Sequence, residues 1–271
     1  MFRKGFISMP TSTVPQLLTV PVSGYQTSLR RHGSGAHVLF LHGAFFPTQW
    51  LPLHDELSRS TDLIVPLHPG YAEGAAPDWL RGFDDLVIHY HDLLDQLDLS
   101  VVHLVGYDLG GWLAAEFASF YPERVTSLTL IASTGLRLAD APSFEFLAAD
   151  PNRVTEAMFN GDLGKHAMEF PDQGDIKGFV DAYGVNGVTA RLIWERRYDT
   201  RLDRRVGRLR MPSLVITPEE DRIVPIAHAE RWAELLSAKL VRIPDSGHAC
   251  IVEQPHAVAR AITALVAEVE S

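Results

Sequence analysis

The sequence predicts an α/β protein in which a doubly wound, mostly parallel β-sheet carries helices on both faces and is interrupted by a helical insertion. The prediction depends on short apolar runs and on the amphipathic segments that alternate with them. Strands that are buried on both faces appear in a sequence as nearly continuous apolar runs, as in parallel sheets covered by helices. The runs are Val38 to Leu41, Leu63 to Val65, Val101 to Val105, Leu128 to Ile131, Leu214 to Ile216 and Leu240 to Ile243.

Helical periodicity is found between and after these runs. Apolar residues recur at helix spacing over Phe83 to Leu97, and Pro255 to Val269 also indicates a helix. Two β-like runs, Leu17 to Val22 and Tyr25 to Arg30, precede the first buried strand and are separated by a Ser-Gly pair. This spacing predicts an antiparallel hairpin at the edge of the sheet.

The regular alternation stops after about residue 135, where glycines become frequent and no convincing strand is found. Short helical patterns remain around Val154 to Phe159 and Val188 to Tyr198. The N-terminal segment is rich in Ser, Thr and Pro and lacks periodicity, which predicts a flexible arm. The predicted division is an arm at residues 1–16, an α/β core at 17–136 and 211–271, and a helical cap at 137–210.

Composition excludes several classes of protein. A chain of 271 residues buries about three quarters of its unfolded surface, so its stability requires neither disulfides nor metals. A net charge of -10 argues against a nucleic-acid partner, because phosphate binding requires clustered Lys and Arg. Basic residues do cluster between Arg201 and Arg210, but the interleaved Asp199 and Asp203 indicate a solvated helix face.

Cysteine usage and hydropathy predict the location. Cys250 is the only cysteine, which is typical of a reducing compartment. The first ten residues lack the apolar core of a signal peptide, and no run approaches about 20 apolar residues. We therefore expect a soluble cytoplasmic protein with no membrane partner. His89 and His91 are two residues apart and lie on different helix faces, so no metal site is predicted.

The most specific local motif is Gly106-Tyr107-Asp108-Leu109-Gly110-Gly111, placed between an apolar strand and a helical run. Glycines two positions before and after the central residue permit a sharp strand-to-helix turn that exposes its side chain above the sheet. The glycine spacing is not that of a dinucleotide loop, and no Gly-Lys-Ser/Thr of a phosphate loop follows. The central residue is Asp108, where serine is usual.

A carboxylate at such a turn can attack an electrophilic carbon and form an alkyl-enzyme ester, which water later cleaves. The adjacent helix N-terminus stabilises the anion. The attack by Asp108 needs no base, so a histidine would act afterwards by activating the hydrolytic water.

Three further motifs agree with this turn in context and order: Leu41-His42-Gly43-Ala44, Asp221 in Glu219 to Pro225, and Ser246-Gly247-His248. Together with His68-Pro69-Gly70-Tyr71, they make residues 25–270 resemble the α/β-hydrolase fold superfamily. The resemblance implies a triad of Asp108, His248 and Asp221, an oxyanion hole formed by the N–H groups of Ala44 and Leu109, and no cofactor, because water is the second substrate.

Aspartate at this position is typical of haloalkane dehalogenases, fluoroacetate dehalogenases and epoxide hydrolases, but the chain departs from each. Leu109 stands where haloalkane dehalogenases have Trp and fluoroacetate dehalogenases have Arg, and Ala44 stands where haloalkane dehalogenases often have Asn. Phe45 replaces the proline of the His-Gly-x-Pro motif of epoxide hydrolases. Tyr183 and Tyr198 of the predicted cap are candidate acids for an epoxide oxygen. The sequence therefore favours an epoxide slightly over an alkyl halide.

Two alternatives remain open. The segments Gly110 to Glu116 and Thr134 to Arg137 resemble serine esterases and carbon–carbon bond hydrolases, which allows a serine scaffold whose nucleophile has been exchanged for Asp. A non-catalytic ligand-binding member of the fold is the other alternative. In every case we expect a small, largely apolar organic ligand. The sequence does not indicate whether the protein is a monomer or an oligomer. The candidate substrate-binding residues are His42, Phe45, Phe46, Tyr107, Tyr183, Trp194 and Tyr198.

Overall fold

The fold is seen in a computed structural model, which describes residues 14–71, 76–161, 187–193 and 198–271. Eight strands in these ranges form one sheet in the order β1-β2-β4-β3-β5-β6-β7-β8. The strands β1 to β8 are, in turn, Leu18–Val22, Tyr25–Gly33, Ala36–Leu41, Thr61–Pro66, Val102–Tyr107, Val125–Ile131, Ser213–Pro218 and Lys239–Ile243. All six buried runs predicted from the sequence are strands.

The sheet is antiparallel at one edge and parallel elsewhere. Strands β1 and β2 form the predicted hairpin with Val22 opposite Tyr25, and β2 pairs antiparallel with β4. Ser23 and Gly24 have φ values of 46° and 84°, as a two-residue turn between twisted strands requires. The pairs from β4 through β3, β5, β6 and β7 to β8 are all parallel. The predicted mostly parallel sheet is therefore confirmed.

Helices follow the strands, and no described helix is long and apolar enough to cross a membrane. The predicted helices near residues 83–97 and 255–269 are present, each within a residue of its predicted limits. Residues 187–193 are helical as well. The other α-helices whose bounds the structure gives, together with these two, are labelled in chain order as α1 Pro52–Ser58, α2 Phe83–Gln96, α3 Leu109–Phe120, α4 Pro151–Met158, α5 Leu202–Val206, α6 Ile226–Leu236, α7 Cys250–Glu253 and α8 Pro255–Glu270.

Side chains of the central strands alternate between two hydrophobic layers. In β3, Leu39 and Leu41 pack into the layer that holds α2 and α3, whereas Val38 and Phe40 pack into the layer that holds α1 and α8. Successive residues of a strand point to opposite faces, so the short apolar run serves both layers. Each such side chain contributes about 1.5–3 kcal/mol when it is fully buried.

The described parts of the predicted cap, residues 137–210, contain helices and no strand. The helical pattern at 154–159 falls on α4, and the pattern at 188–198 overlaps the helical residues 187–193. Residues 162–186 and 194–197 lie outside the described part of the chain, as do residues 1–13 of the predicted arm. The division into arm, core and cap stays a prediction.

The interpretation of the arginine cluster as a solvated face is wrong for Arg205. Its side chain is only 28% exposed and forms ion pairs with Asp199 and with Glu116 of α3. Glu116 is 3% exposed and also accepts a hydrogen bond from Trp112 Nε1 at 3.1 Å. The polar sequence pattern did not reveal that one arginine of the helix reaches a buried carboxylate in the core.

We expect Arg205→Ala to destabilise the fold by on the order of 3 kcal/mol, because it leaves the Glu116 carboxylate buried without its cation. Urea denaturation measures the change. Arg231→Ala is the matched control, since its partners Glu234 and Asp203 are 71% and 42% exposed and each such surface pair contributes about 0–1 kcal/mol. Equal losses in the two variants would contradict the expectation.

Candidate active site

Asp108 stands at a sharp turn between β5 and α3, which we call the elbow. Its φ of 53° and ψ of -117° lie in a region that costs a non-glycine residue on the order of 1–3 kcal/mol. Two glycines allow the close approach of strand and helix. A Cβ on Gly106 would lie 2.2 Å from the Gly110 carbonyl oxygen, and a Cβ on Gly110 would lie 2.1 Å from that of Leu41. The turn brings Asp108 to the loops that follow β3 and β8.

The two oxygens of the Asp108 carboxylate have different surroundings. Oδ2 accepts a hydrogen bond from the Ala44 N–H at 2.9 Å. Oδ1 is buried without a hydrogen-bond partner among the described residues and lies 3.6 Å from Nε2 of His248. The Leu109 N–H likewise has no described acceptor. The Ala44 N–H, a predicted oxyanion donor, thus holds one carboxylate oxygen and leaves the other without a hydrogen bond from the described residues.

The loop that carries Ala44 is held by two buried histidines. Nδ1 of His42 donates to the Gly43 carbonyl at 2.7 Å, and its Nε2 accepts from the His68 N–H at 3.0 Å. The His68 ring in turn donates from Nε2 to the His42 carbonyl at 2.8 Å and accepts from the Tyr90 hydroxyl at 2.6 Å. Burial lowers the pKa of His42 to about 4 and that of His68 well below its usual value, so both rings are neutral.

These contacts correct the assignment of His42 as a substrate-binding residue. Both of its ring nitrogens are engaged, and its side chain is 3% exposed. The residue instead holds the peptide between Gly43 and Ala44, whose N–H points at Asp108.

His248 lies between two carboxylates. Its Nδ1 is 3.0 Å from Oδ2 of Asp221, and its Nε2 faces Asp108. Asp221 is fixed by the N–H groups of Ile223 and Val224, which donate to its Oδ1 at 2.9 and 2.8 Å. The structure therefore brings together the nucleophile, acid and histidine that the sequence motifs predict.

The charge of His248 follows from these neighbours. Burial by itself lowers the pKa of this imidazole, but Asp221 and Asp108 outweigh burial and raise the pKa to about 10. The resting ring is therefore an imidazolium at neutral pH. The stability that this raised pKa contributes is fully present below the unfolded value of 6.5 and is lost as the pH rises through about 10.

Two of the predicted substrate-binding aromatics contact the triad histidine. Phe45 packs edge-on against His248, with ring centroids 5.8 Å apart, and against Phe146 of the predicted cap at 5.4 Å. Tyr107 is fully buried, and its hydroxyl donates to the His248 carbonyl at 3.1 Å. Tyr107 therefore supports the histidine loop and is not a wall of the cavity, which corrects the substrate-binding assignment.

The other candidates are elsewhere or outside the described residues. Phe46 has a φ of 56° and packs on Phe159 in the core, so its assignment to the substrate is also wrong. Tyr198 lies under the guanidinium of Arg137, 4.9 Å from the ring centroid. Tyr183 and Trp194 fall in ranges that the structure does not describe.

A cavity of about 80 Å³ lies beside the elbow. Its lining combines apolar residues, among them Leu109, Leu136 and Ile193, with the polar residues Thr134, Ser143 and Glu145. A surface depression of about 620 Å³ lies between the end of α5 and α6. No residue of the predicted triad lines either space, but Leu109, which lines the smaller one, directly follows Asp108. Among the described residues, no group of three His, Cys, Asp or Glu side chains is arranged to hold a metal.

Tyr71, the last residue of the His68-Pro69-Gly70-Tyr71 motif, packs beside the loop that carries Ala44 and was not among the predicted binding residues. Its ring packs edge-on against His42, with centroids 5.0 Å apart, and its hydroxyl lies 2.7 Å from Oγ1 of Thr189. Burial raises its pKa above the usual range, and the charge of Asp108 raises it further. The available signal was its position after β4, because β4 and β3 are parallel neighbours whose carboxyl ends share one edge.

Residues 38–261 match the model of the Alpha/beta hydrolase family, and the chain belongs to this family. It is 30% identical over 216 residues to the dihydrolipoyllysine-residue acetyltransferase component of the acetoin cleaving system of Pseudomonas putida, covering 73% of this chain and 54% of that protein. It is 26% identical over 271 residues to 2-hydroxy-6-oxo-2,4-heptadienoate hydrolase of Pseudomonas putida, covering 92% and 95%.

The fold is also that of a bacterial membrane phospholipase A, with a TM-score of 0.81 and 20% identity over 95% of this chain and 87% of that one. The chain spans about half the length of the acetyltransferase component and nearly all of the heptadienoate hydrolase. Membership of the family confirms the predicted fold.

Asp108→Asn tests the charge of the site. The change removes one of two carboxylates that hold the proton on His248, so we expect the pKa of His248 to fall below its wild-type value of about 10. NMR titration of ¹³C-labelled histidine measures it. Glu219→Gln, on an exposed position of the Asp221 loop, is the control and should leave the value unchanged. An unaltered pKa in Asp108→Asn would show that the carboxylate does not hold this proton.

Proposed function

We propose that the protein is a hydrolase in which Asp108 attacks a saturated carbon, forms an alkyl ester and is released by water that His248 activates. The favoured substrate is a small, largely apolar epoxide. The observation that carries the proposal is the difference in surroundings between the two oxygens of the Asp108 carboxylate. Oδ2 is held by the Ala44 N–H, and Oδ1 is unpartnered and faces His248.

The first half-reaction uses Oδ1 as the nucleophile. The carboxylate needs no base, and its second oxygen is already fixed by Ala44, so the attacking oxygen is oriented before the substrate binds. Attack on an ordinary ester would give an anhydride, which reverts more readily than it advances. A strained ring or a carbon that bears a leaving group is therefore the better electrophile.

In the second half-reaction, the Ala44 N–H stabilises the charge that forms when water attacks the ester. Once Oδ1 carries the alkyl group, Oδ2 is the carbonyl oxygen of an ester and still faces the Ala44 N–H. Water attack at Cγ puts negative charge on Oδ2, which this donor stabilises, and one such donor is worth about 10²–10³ in rate. Nε2 of His248 lies on the Oδ1 side, 3.6 Å away, where it can take a proton from water.

The resting proton on His248 favours an epoxide over a halide. When Asp108 is esterified, the Oδ1–carbon bond forms, the ring carbon–oxygen bond breaks, and one of the two negative charges that hold the proton is lost. The proton passes to the new alkoxide, and His248 becomes neutral. A halide leaves without taking a proton, so His248 would first have to lose its proton from a fully buried position.

The cycle closes without an external acid or base. Neutral His248 takes one hydrogen of the water, and the oxygen of that water bonds to Cγ. Breaking the Cγ–Oδ1 bond releases the product, whose alkoxide takes the second hydrogen. Asp108 is again a carboxylate and His248 again an imidazolium, which is the resting pair.

Isotope labelling tests the covalent step. In a single turnover in H₂¹⁸O with excess enzyme, the water oxygen should enter the carboxylate of Asp108, because water attacks Cγ and the old Oδ1 leaves with the product. Mass spectrometry of the Asp108 peptide measures the label. The Asp221 peptide of the same digest is the internal control, and label in the diol alone would rule out an alkyl-enzyme ester.

His248→Gln should trap the intermediate. Without a base, the ester at Asp108 cannot be hydrolysed, so the intact protein should gain the mass of the attached group. An alkyl bromide forms the adduct without a proton donor, whereas 1,2-epoxyhexane should form it more slowly because its alkoxide lacks the proton of His248. The Asp108→Asn, His248→Gln double variant should gain no mass. A folded His248→Gln protein that never accumulates an adduct with either reagent contradicts the assigned role.

The second candidate is a serine-type esterase or carbon–carbon bond hydrolase scaffold whose nucleophile has been exchanged. The 26% identity to the heptadienoate hydrolase over 92% of this chain favours it. Asp108→Ser would then gain ester turnover that the natural chain lacks, while the natural chain would open no epoxide. A ligand-binding protein without turnover would show binding of the epoxide and no diol in either form.

A further inference from the structure

A single carboxylate joins the loop that carries His248 to the described part of the predicted cap. Oε2 of Glu253 accepts a hydrogen bond from the Gly247 N–H at 2.7 Å, and its Oε1 accepts one from the Asn160 N–H at 2.8 Å. Asn160 lies two residues after α4, and Gly247 directly precedes His248. Neither half-reaction described above uses Glu253.

Glu253 reaches Gly247 because the chain turns back on itself between them. The one-turn helix α7 ends at Glu253, whose N–H donates to the Ala249 carbonyl at 3.0 Å. The side chain therefore returns to a residue six positions earlier in the sequence. A carboxylate accepts hydrogen bonds at both of its oxygens, and bonds to an ionised acceptor are roughly twice as strong as neutral ones. Two backbone N–H groups from different parts of the chain thus share one strong acceptor.

Two further hydrogen bonds hold the backbone around His248. Its carbonyl accepts from the Tyr107 hydroxyl at 3.1 Å, and the N–H of the next residue, Ala249, donates to the Met158 carbonyl at 2.8 Å. Tyr107 is the last residue of β5, whereas Met158 is the last residue of α4. The histidine loop is therefore fixed to the core on one side and to the predicted cap on the other.

Residues 158–160, which we call the cap segment, pack directly against the histidine loop. A Cβ on Gly247 would lie 2.6 Å from the Met158 carbonyl oxygen, so the two backbones are in contact with no side chain between them. The side chains of Met158 and Phe159 are buried in the hydrophobic layer that holds α1 and α8. The position of the cap segment therefore limits where Gly247, and with it His248, can lie.

We propose that Glu253 is a positioning residue for His248, and that it holds the imidazole in place only while the cap segment is seated against the histidine loop. Nδ1 of the ring is 3.0 Å from Asp221, and Nε2 is 3.6 Å from Asp108. A displacement of about 1 Å is enough to lower the rate of a reaction about 10²-fold. Glu253 does not contact the reacting atoms, so its loss leaves the imidazole in the site but displaced.

Glu253→Gln tests the positioning without any substrate. The amide keeps the size of the side chain but has a single acceptor oxygen, so either Gly247 or Asn160 loses its hydrogen bond. The proton on Nδ1 of His248, which is hydrogen-bonded to Asp221, can be followed in ¹H NMR by its downfield signal. We expect its exchange with water to be about 10- to 100-fold faster in the variant, the range for a lost hydrogen bond to a charged group. An unchanged exchange rate would overturn the proposal.

Glu230→Gln is the matched control for the removal of a carboxylate. Glu230 pairs with Arg242, and both side chains are 52% exposed. The Nδ1 proton of His248 should exchange in this variant as it does in the natural chain. Faster exchange of the same size as in Glu253→Gln would show that the loss of any carboxylate is sufficient, which would refute the positioning role.

Asn160→Pro tests the connection to the cap. Proline removes the N–H that donates to Oε1 of Glu253 and leaves the sequence of the histidine loop unaltered. Phe159 has a φ of -109° and a ψ of 150°, a conformation that residues before proline adopt, so the backbone accommodates the change. We expect faster exchange of the His248 proton, in the same direction as for Glu253→Gln. Asn160→Ala keeps the N–H and should match the natural chain. Exchange in Asn160→Pro as slow as in Asn160→Ala would contradict the dependence on the cap segment.

The two half-reactions separate a displaced histidine from a damaged site. Under the proposed function, on which this measurement rests, 1-bromohexane alkylates Asp108 without a proton from His248, whereas hydrolysis of the adduct requires His248 as base. Glu253→Gln should slow hydrolysis of the adduct by about 10- to 100-fold and change its formation less than about threefold. An equal loss in both steps would indicate a merely structural role and overturn the proposal. A natural chain that forms no adduct would refute the proposed function, and the exchange rates would still decide the role of Glu253.

Discussion

The hydrogen bond from the Ala44 N–H to Oδ2 of Asp108 joins the two loops from which the site is built. It requires the elbow to hold Asp108 at positive φ, which the flanking glycines make possible. It also requires the peptide before Ala44 to be fixed, which His42 and His68 achieve through hydrogen bonds that leave no ring nitrogen free. Because these groups are buried, each bond acts in a low dielectric and is stronger than it would be in water.

The same burial controls the charge of the site. Asp108, His248 and Asp221 are enclosed together, and isolated ions would not be stable there. The single imidazolium compensates part of the negative charge, and backbone N–H groups of the loop after Asp221 compensate more. A proton that is held only while Asp108 is charged becomes available once that charge is lost. The electrostatics of the resting state and the order of the proposed steps therefore have one cause.

Contacts between the core and residues 137–210 converge on this centre from two sides. On the histidine side, the Ala249 N–H donates to the Met158 carbonyl, and the carboxylate of Glu253 accepts from the N–H groups of Gly247 and Asn160. On the other side, Tyr71 meets Thr189. The described parts of the predicted cap thus contact both the loop that carries His248 and the segment that follows β4.

Local patterns in the sequence determined the strands, the hairpin, the elbow and the order of the triad motifs, because periodicity and glycine placement act over a few residues. Only the tertiary structure decided which neighbouring aromatic faces the site. Phe45 contacts His248 whereas Phe46 turns into the core, since the positive φ of Phe46 redirects its side chain. Likewise, Tyr71 reaches Thr189 across 118 positions of the chain, and no local pattern carries a contact of that range.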